Sequence, residues 1–251
     1  MRVHLSIIGA LTTGLVFLAA AASAVQVPER RTDDQIRMQV EGRLVDRELR
    51  GLTVIVHQGQ VTLEGMVSNA WERRQAYEEA RKVEDVTSVL CNLSIARDVS
   101  DTLIAREVER RILEHPFYTI FENIDVRVRH GQVMLRGEVM ADARARVMAD
   151  IAAKVHGVVE VFNFIRTLPF SLKDDEIRYE IAGRLYEDPS SCFQADVLLA
   201  PIHIIVEHGH VKLTGTVDSD VERRAVEMIA RQALGVIRVE NKLKTRMTRL
   251  L

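Results

Sequence analysis

Apolar residues in this chain follow two alternating periods, and the alternation occurs three times. Ile36, Val40 and Leu44 recur at every fourth position, as do Ile104, Val108 and Ile112, and Ile177, Ile181 and Leu185. Such a series puts its side chains on one face of a helix, which then buries that face. An acid stands before each series (Asp33, Asp101, Asp174) and is expected to cap the helix by accepting from its free backbone N–H groups. The period then shortens to two. Leu52, Val54 and Val56 lead into Gln58-Gly59 and are followed by Val61 and Leu63. Val126 and Val128 lead into His130-Gly131, and Ile202, Ile204 and Val206 into His208-Gly209. Strict alternation around a residue-glycine turn predicts a β-hairpin, because glycine accepts the positive φ that tight turns need.

A second helical series follows each hairpin: Ala76, Ala80 and Val83; Met148, Ala152 and Val155; Val226, Ala230 and Ala233. Small residues at the middle position predict close packing of helix on sheet. Gly157 and Gly235 are expected to end these helices in a left-handed cap, with Asp85 there in the first copy. A closing strand is expected over residues 88–93, 159–164 and 237–243, with Asn92, Asn163 and Asn241 at matching places. Three further glycines (Gly65, Gly137, Gly215) fall inside the second hairpin strand, where glycine implies a bulge or another backbone close by. The pattern predicts an α+β chain of three tandem small α-β-β-α-β domains, each with two helices packed on a three-stranded sheet. Their expected spans are 30–97, 99–168 and 172–246, with joints near 98–102 and 169–173.

The G-x-V-x-L-x-G-x-V hairpin, the helix rich in arginine and alanine, and the closing strand that ends near asparagine resemble the BON domain. Gly59, Gly65, Asn92, Gly131, Gly137, Gly157, Asn163, Gly209, Gly215, Gly235 and Asn241 carry the resemblance. It covers nearly all of the chain beyond the leader and departs at Asp85 and by one residue before Asn92. That family occurs in osmotically induced periplasmic proteins and other bacterial envelope proteins. The resemblance implies association with phospholipid membranes or envelope partners, no catalytic residues and no cofactor.

Composition narrows the partners. Lys+Arg against Asp+Glu runs 11 to 12 for residues 25–97, 10 to 11 for 98–170 and 12 to 13 for 171–251. No repeat carries the basic footprint that nucleic acid requires. The tail residues Lys242, Lys244, Arg246 and Arg249 form the one basic cluster, read as a solvated terminus with anionic lipid as the alternative. At the other end, Arg2 and His4 precede an apolar run from Leu5 to Ala22, and Ala22-Ser23-Ala24 has the small-x-small pattern of a signal-peptidase site. Residues 1–24 are therefore expected to be a signal peptide cleaved after Ala24, giving a periplasmic or secreted protein. The alternative is an uncleaved helix anchored in the inner membrane.

Candidate chemistry is sparse. Cys91 and Cys192 are the two cysteines and share no motif, so a disulfide between them stays open. His203, His208 and His210 with Glu207 contain metal-ligand types, but His208 sits at the turn position of Gln58 and His130, so a turn histidine is the default. No nucleophile elbow, phosphate loop or zinc-protease motif appears, and no enzyme activity is expected. The connection from the first helix to the hairpin varies most between copies. It carries Phe117, Tyr118 and Phe121 in the second copy and Phe193 and Leu198 in the third. Aromatic residues on long loops suit membrane interfaces or partner pockets, and these five are the candidate contacts. Extension of the domain cores is the alternative reading, as a staple against the helix end is for Trp71. The expected function is that of an exported, non-enzymatic binding protein at phospholipid surfaces or in an envelope assembly. The alternative is a periplasmic protein–protein scaffold working through open sheet edges.

Overall fold

The computed structural model describes residues 30–187 and 201–246. The expected leader, Cys192, Phe193, Leu198 and Arg249 lie outside the described residues. The first unit runs α1 (Asp33–Asp46), β1 (Thr53–His57), β2 (Gln60–Val67), α2 (Ala70–Arg81) and β3 (Ser88–Ile95). The second repeats it as α3 (Asp101–Leu113), β4 (Asn123–Arg129), β5 (Gln132–Val139), α4 (Asp142–Ala153) and β6 (Glu160–Thr167). The third has α5 (Leu172–Ala182), a π turn at Gly183–Glu187, β7 (Ile202–Glu207), β8 (His210–Val217), α6 (Asp220–Arg231), β9 (Arg238–Asn241) and β10 (Lys244–Thr245). The middle strand of each sheet pairs antiparallel with its hairpin partner and parallel with the closing strand. The fold is α+β, with both helices of a unit on one face of its sheet.

The two apolar periods meet in one core per unit. Ile36, Val40 and Leu44 pack with Val61, Leu63, Ala76 and Ala80, and the other two units repeat the arrangement. Full burial of one such aliphatic side chain is worth about 1.5–3 kcal/mol. Ala80, Ala152 and Ala230 are all buried, which lets the second helix sit close to the sheet.

The acids before the first helices do not act as caps. Thr32, Ser100 and Ser171 hold the N-cap positions. Asp33 instead reaches the hairpin and accepts from the N–H groups of Gln58 (2.8 Å) and Gly59 (2.9 Å). Asp101 does the same for His130 (2.7 Å) and Gly131 (2.9 Å), and Asp174 for His208 and Gly209 (both 2.8 Å). The turn explains the need. Gln58, His130 and His208 stand at φ 51°, 53° and 51°, each followed by a glycine near 75°, so two adjacent N–H groups point outward together. A carboxylate satisfies both at once.

Two other expectations change. The second helices stop at Arg81, Ala153 and Arg231, and the left-handed residues Asp85, Gly157 and Gly235 fall in the turn beyond them. Asn92 is not the counterpart of Asn163 and Asn241. Leu63, Leu135 and Leu213 face Cys91, Asn163 and Asn241 across the sheet, so Cys91 holds that place. Asn163 donates to the Ala145 carbonyl (3.0 Å) and Asn241 to that of Arg223 (2.9 Å), tying closing strand to second helix. Half-buried Cys91 has no amide with which to make this tie.

Candidate binding surface

With helices on one face, each sheet turns its other face outward, and there the copies diverge. On β5, Val133, Leu135 and Val139 are buried, while Gln132 and Arg136 are exposed and Met134 is half-buried. Two rows cross the outward face of this sheet. Arg127 lies opposite Met134, which lies opposite Phe162; Asp125 lies opposite Arg136, which lies opposite Phe164. Phe162 is 38% exposed and Phe164 57%. The Arg136 guanidinium sits 5.7 Å from the Phe164 ring centroid, and Arg127 pairs with Asp125 at 2.9 Å. Arg129, exposed at the hairpin end of β4, adds a further cation. Aromatic rings flanked by guanidinium groups on an open sheet face suit an extended anionic and apolar partner better than a small molecule. The sequence gives one signal for this surface: Phe162 and Phe164 alternate on the outward register of the closing strand.

The third domain has its outward face covered. Ile205 is 3% exposed, whereas Ile55, at the same place in the first domain, is 47% exposed. The second domain provides the cover. Lys212 pairs with Glu138 (2.6 Å), Glu207 with Arg166 (2.6 Å), and Thr214 donates to the Asn123 side chain (3.0 Å). The Arg166 hydrogen bond holds the Glu207 carboxyl below its usual range. At the edge of the sheet the Ile204 N–H donates to the Ile120 carbonyl (2.7 Å), and Ile120 is buried in the third domain's core.

Placement of the candidate contact loop follows from that seam. Tyr118 is buried in its own domain's core against the His203 ring of the third domain, with centroids 5.3 Å apart, and burial pushes its hydroxyl up to about 12. Phe121 packs on the third domain's core and meets Tyr179 edge to face at 5.2 Å. Tyr118 and Phe121 thus join domains, and Phe117, 52% exposed, is the outward member of the trio. The loop is pinned from behind by buried Glu122, which pairs with Arg144 and accepts from Thr119 N (2.6 Å) and its hydroxyl (2.7 Å).

The first joint is built differently. The start of α2 meets the turn after α4: Ala70 N–H donates to Val158 O (2.8 Å), Gly157 N–H to Ser68 O (2.9 Å), and the Arg73 side chain to Val159 O (2.9 Å). The Trp71 ring receives the Lys154 ammonium of the second domain at 5.1 Å. Of the three histidines, His208 is in the turn, His210 is exposed on β8 and His203 is under Tyr118. Among the described residues no three His, Cys, Asp or Glu side chains converge on one point, and no helix is long and apolar enough to cross a membrane.

Comparison with known proteins agrees with the triplicate architecture. The family model described as the BON domain matches residues 32–97, 100–169 and 173–247. The chain is similar to osmotically-inducible protein Y of Escherichia coli strain K12, 29% identical over 146 residues that cover 54% of this chain and 72% of that protein. Two solved chains of a structural protein of the type III secretion system of Chlamydia trachomatis, one of them its C-terminal domain, align at 16% identity with a TM-score of 0.24. They cover 86% of this chain and 98% and 95% of their own lengths, and at that score the superposition is too loose to speak for function.

Proposed function

The chain belongs to the BON domain family, and from that premise we propose that it is an exported, non-enzymatic envelope protein that binds anionic phospholipid surfaces through its second domain. The observation that carries this reading is the outward face on which Phe162 and Phe164 lie open beside Arg127, Arg129 and Arg136. Aromatic rings settle at the headgroup boundary, and each arginine near an anionic surface adds about 1 kcal/mol. Phe117 is an accessory contact. Similarity to an osmotically inducible protein supports a role in the periplasm during envelope stress. The scaffold reading draws its support from the edge pairing of Ile204 with Ile120, in which a BON sheet edge accepts a neighbouring segment. Sedimentation with vesicles separates the two. The lipid reading expects the purified protein to pellet with phosphatidylglycerol-containing vesicles, less so as salt is raised, and to stay in solution with purely zwitterionic ones. No binding to either vesicle overturns it.

A further inference from the structure

We propose that the joint between the second and third domains is a pH-sensitive latch, closed while the His203 imidazole is neutral and opened when that ring takes up a proton. This inference stands independently of the lipid reading. Its basis is where the ring sits. His203 lies on the outward side of β7, directly under Tyr118, and its Nδ1 is buried with no hydrogen-bond partner. Backbone carbonyls of Thr119 and Glu122, from the same inter-domain segment, face the ring. A neutral imidazole tolerates an unpartnered nitrogen as a lone pair. A protonated one puts a positive charge on a ring buried in the closed joint, where the two carbonyls offset only part of the loss of water, and such burial is costly.

The surrounding charges decide whether the ring resists protonation. The second domain contributes the Tyr118 hydroxyl and the Glu122 carboxylate, the latter already engaged by Arg144 and by Thr119. Across the same cleft of about 710 Å³ stand Glu109 from α3 and Asp125 from β4, Asp125 paired with Arg127. From the third domain come Lys242, paired with Glu240, and Lys244. Burial is the largest influence and pushes the His203 ring down; Thr119, Glu122 and the Glu122 charge pull it up by less. The ring in the closed joint is therefore harder to protonate than the exposed ring of an opened one. Closure is at full strength above the ordinary imidazole value of about 6.5 and weakens as pH falls below it toward the lowered value, by up to about tenfold per pH unit.

The mechanical link is short. His203 and Ile204 are adjacent, and the Ile204 N–H is the edge bond to Ile120. Disturbing the ring loosens that bond and the seating of Ile120 and Phe121 in the third domain's core. Opening would bring Ile120 and Phe121 to the surface and uncover the side of Tyr118 that faces His203. The matching positions in the other sheets are Thr53 and Asp125, neither of them a histidine, so the device is confined to this joint.

Hydrogen exchange on the full mature chain tests the latch. Protection of the Ile204 amide, corrected for intrinsic exchange, should fall about tenfold or more between pH 7.5 and pH 5.0, while that of Val108 inside α3 holds. His203→Gln, which cannot charge, should give an Ile204 amide whose protection no longer follows pH. A flat wild-type profile, or the same fall in the variant, overturns the proposal. If His203→Gln fails to fold, the His203 ring is titrated by NMR in the wild-type protein. A ring protonating below its ordinary value, in step with loss of Ile204 protection, upholds the latch; one titrating at or above that value overturns it.

Discussion

Ile55 and Ile205 occupy one position in two copies of the same fold, yet the first is half exposed and the second buried. Their helices, hairpin turns and cores follow one plan. The difference in exposure at this position follows from what covers the sheet. Arg166 and Glu138 of the second domain meet Glu207 and Lys212 of the third, where the first domain has His57 and Thr62. Triplication thus keeps the interior constant and leaves the outward face of each sheet to take a separate task. The third domain's face serves the chain itself, and the second presents arginine and phenylalanine to solvent.

That contrast can be strained first at the shared interior. At Gly137 and Gly215 a Cβ would stand 1.8 Å from Asn123 O and 2.0 Å from Pro201 O, at φ 141° and 117°. At Gly65 its nearest neighbour would be the flexible Leu52 side chain at 3.1 Å. Gly137→Ala should therefore destabilise by about 3–4 kcal/mol and Gly65→Ala by about 1–2, as read by chemical denaturation. Equal losses would mean that the copies are more alike than their backbones indicate.

The turn clamps come next. Asp174 is buried, and although burial raises its carboxyl, the Gly209 and His208 N–H groups leave it below the usual range. Asp174→Ala should cost about 2–3 kcal/mol. Asp33 and Asp101 are held low by the same pair of backbone donors. Each has a depressed folded value, so its contribution is complete above the ordinary carboxylate range near pH 4 and is lost as pH falls through the lowered one. Stability measured from pH 5 downward should decline in the wild type, and less steeply in Asp174→Asn.

The smallest effect is expected from repairing the odd copy. Cys91→Asn should restore the strand-to-helix tie, here to the Arg73 carbonyl, and raise stability by about 0.5–1 kcal/mol in thermal melts. No gain would show that the first unit's geometry differs from that of its sisters by more than one side chain.

The interior was largely readable from the chain, because apolar period and glycine placement follow from backbone geometry alone. Gly59, Gly131 and Gly209 set the turns, and the four-residue series set the helices. The clamp carried a signal of its own: Asp33, Asp101 and Asp174 all stand three residues before a buried isoleucine although the helix starts differ, a constancy that points away from capping. The Asn92 assignment failed because identity outweighed register; counted from its turn glycine, Cys91 stands where Asn163 and Asn241 do. The joints were hidden for a different reason. An apolar loop such as residues 117–121 can serve its own core, a neighbour or a membrane, and only the position of the next domain decides among them.

The most direct test compares two outward faces within one protein. Phe162→Ser with Phe164→Ser should reduce binding to phosphatidylglycerol-containing vesicles about tenfold or more, since each ring buried at the interface is worth at least about 1.5 kcal/mol. Ile55→Ser with Leu90→Ser, on the first domain's face, should leave binding within about twofold. Equal binding by both double variants, or loss confined to the Ile55 and Leu90 pair, would contradict the assignment of membrane contact to the second domain.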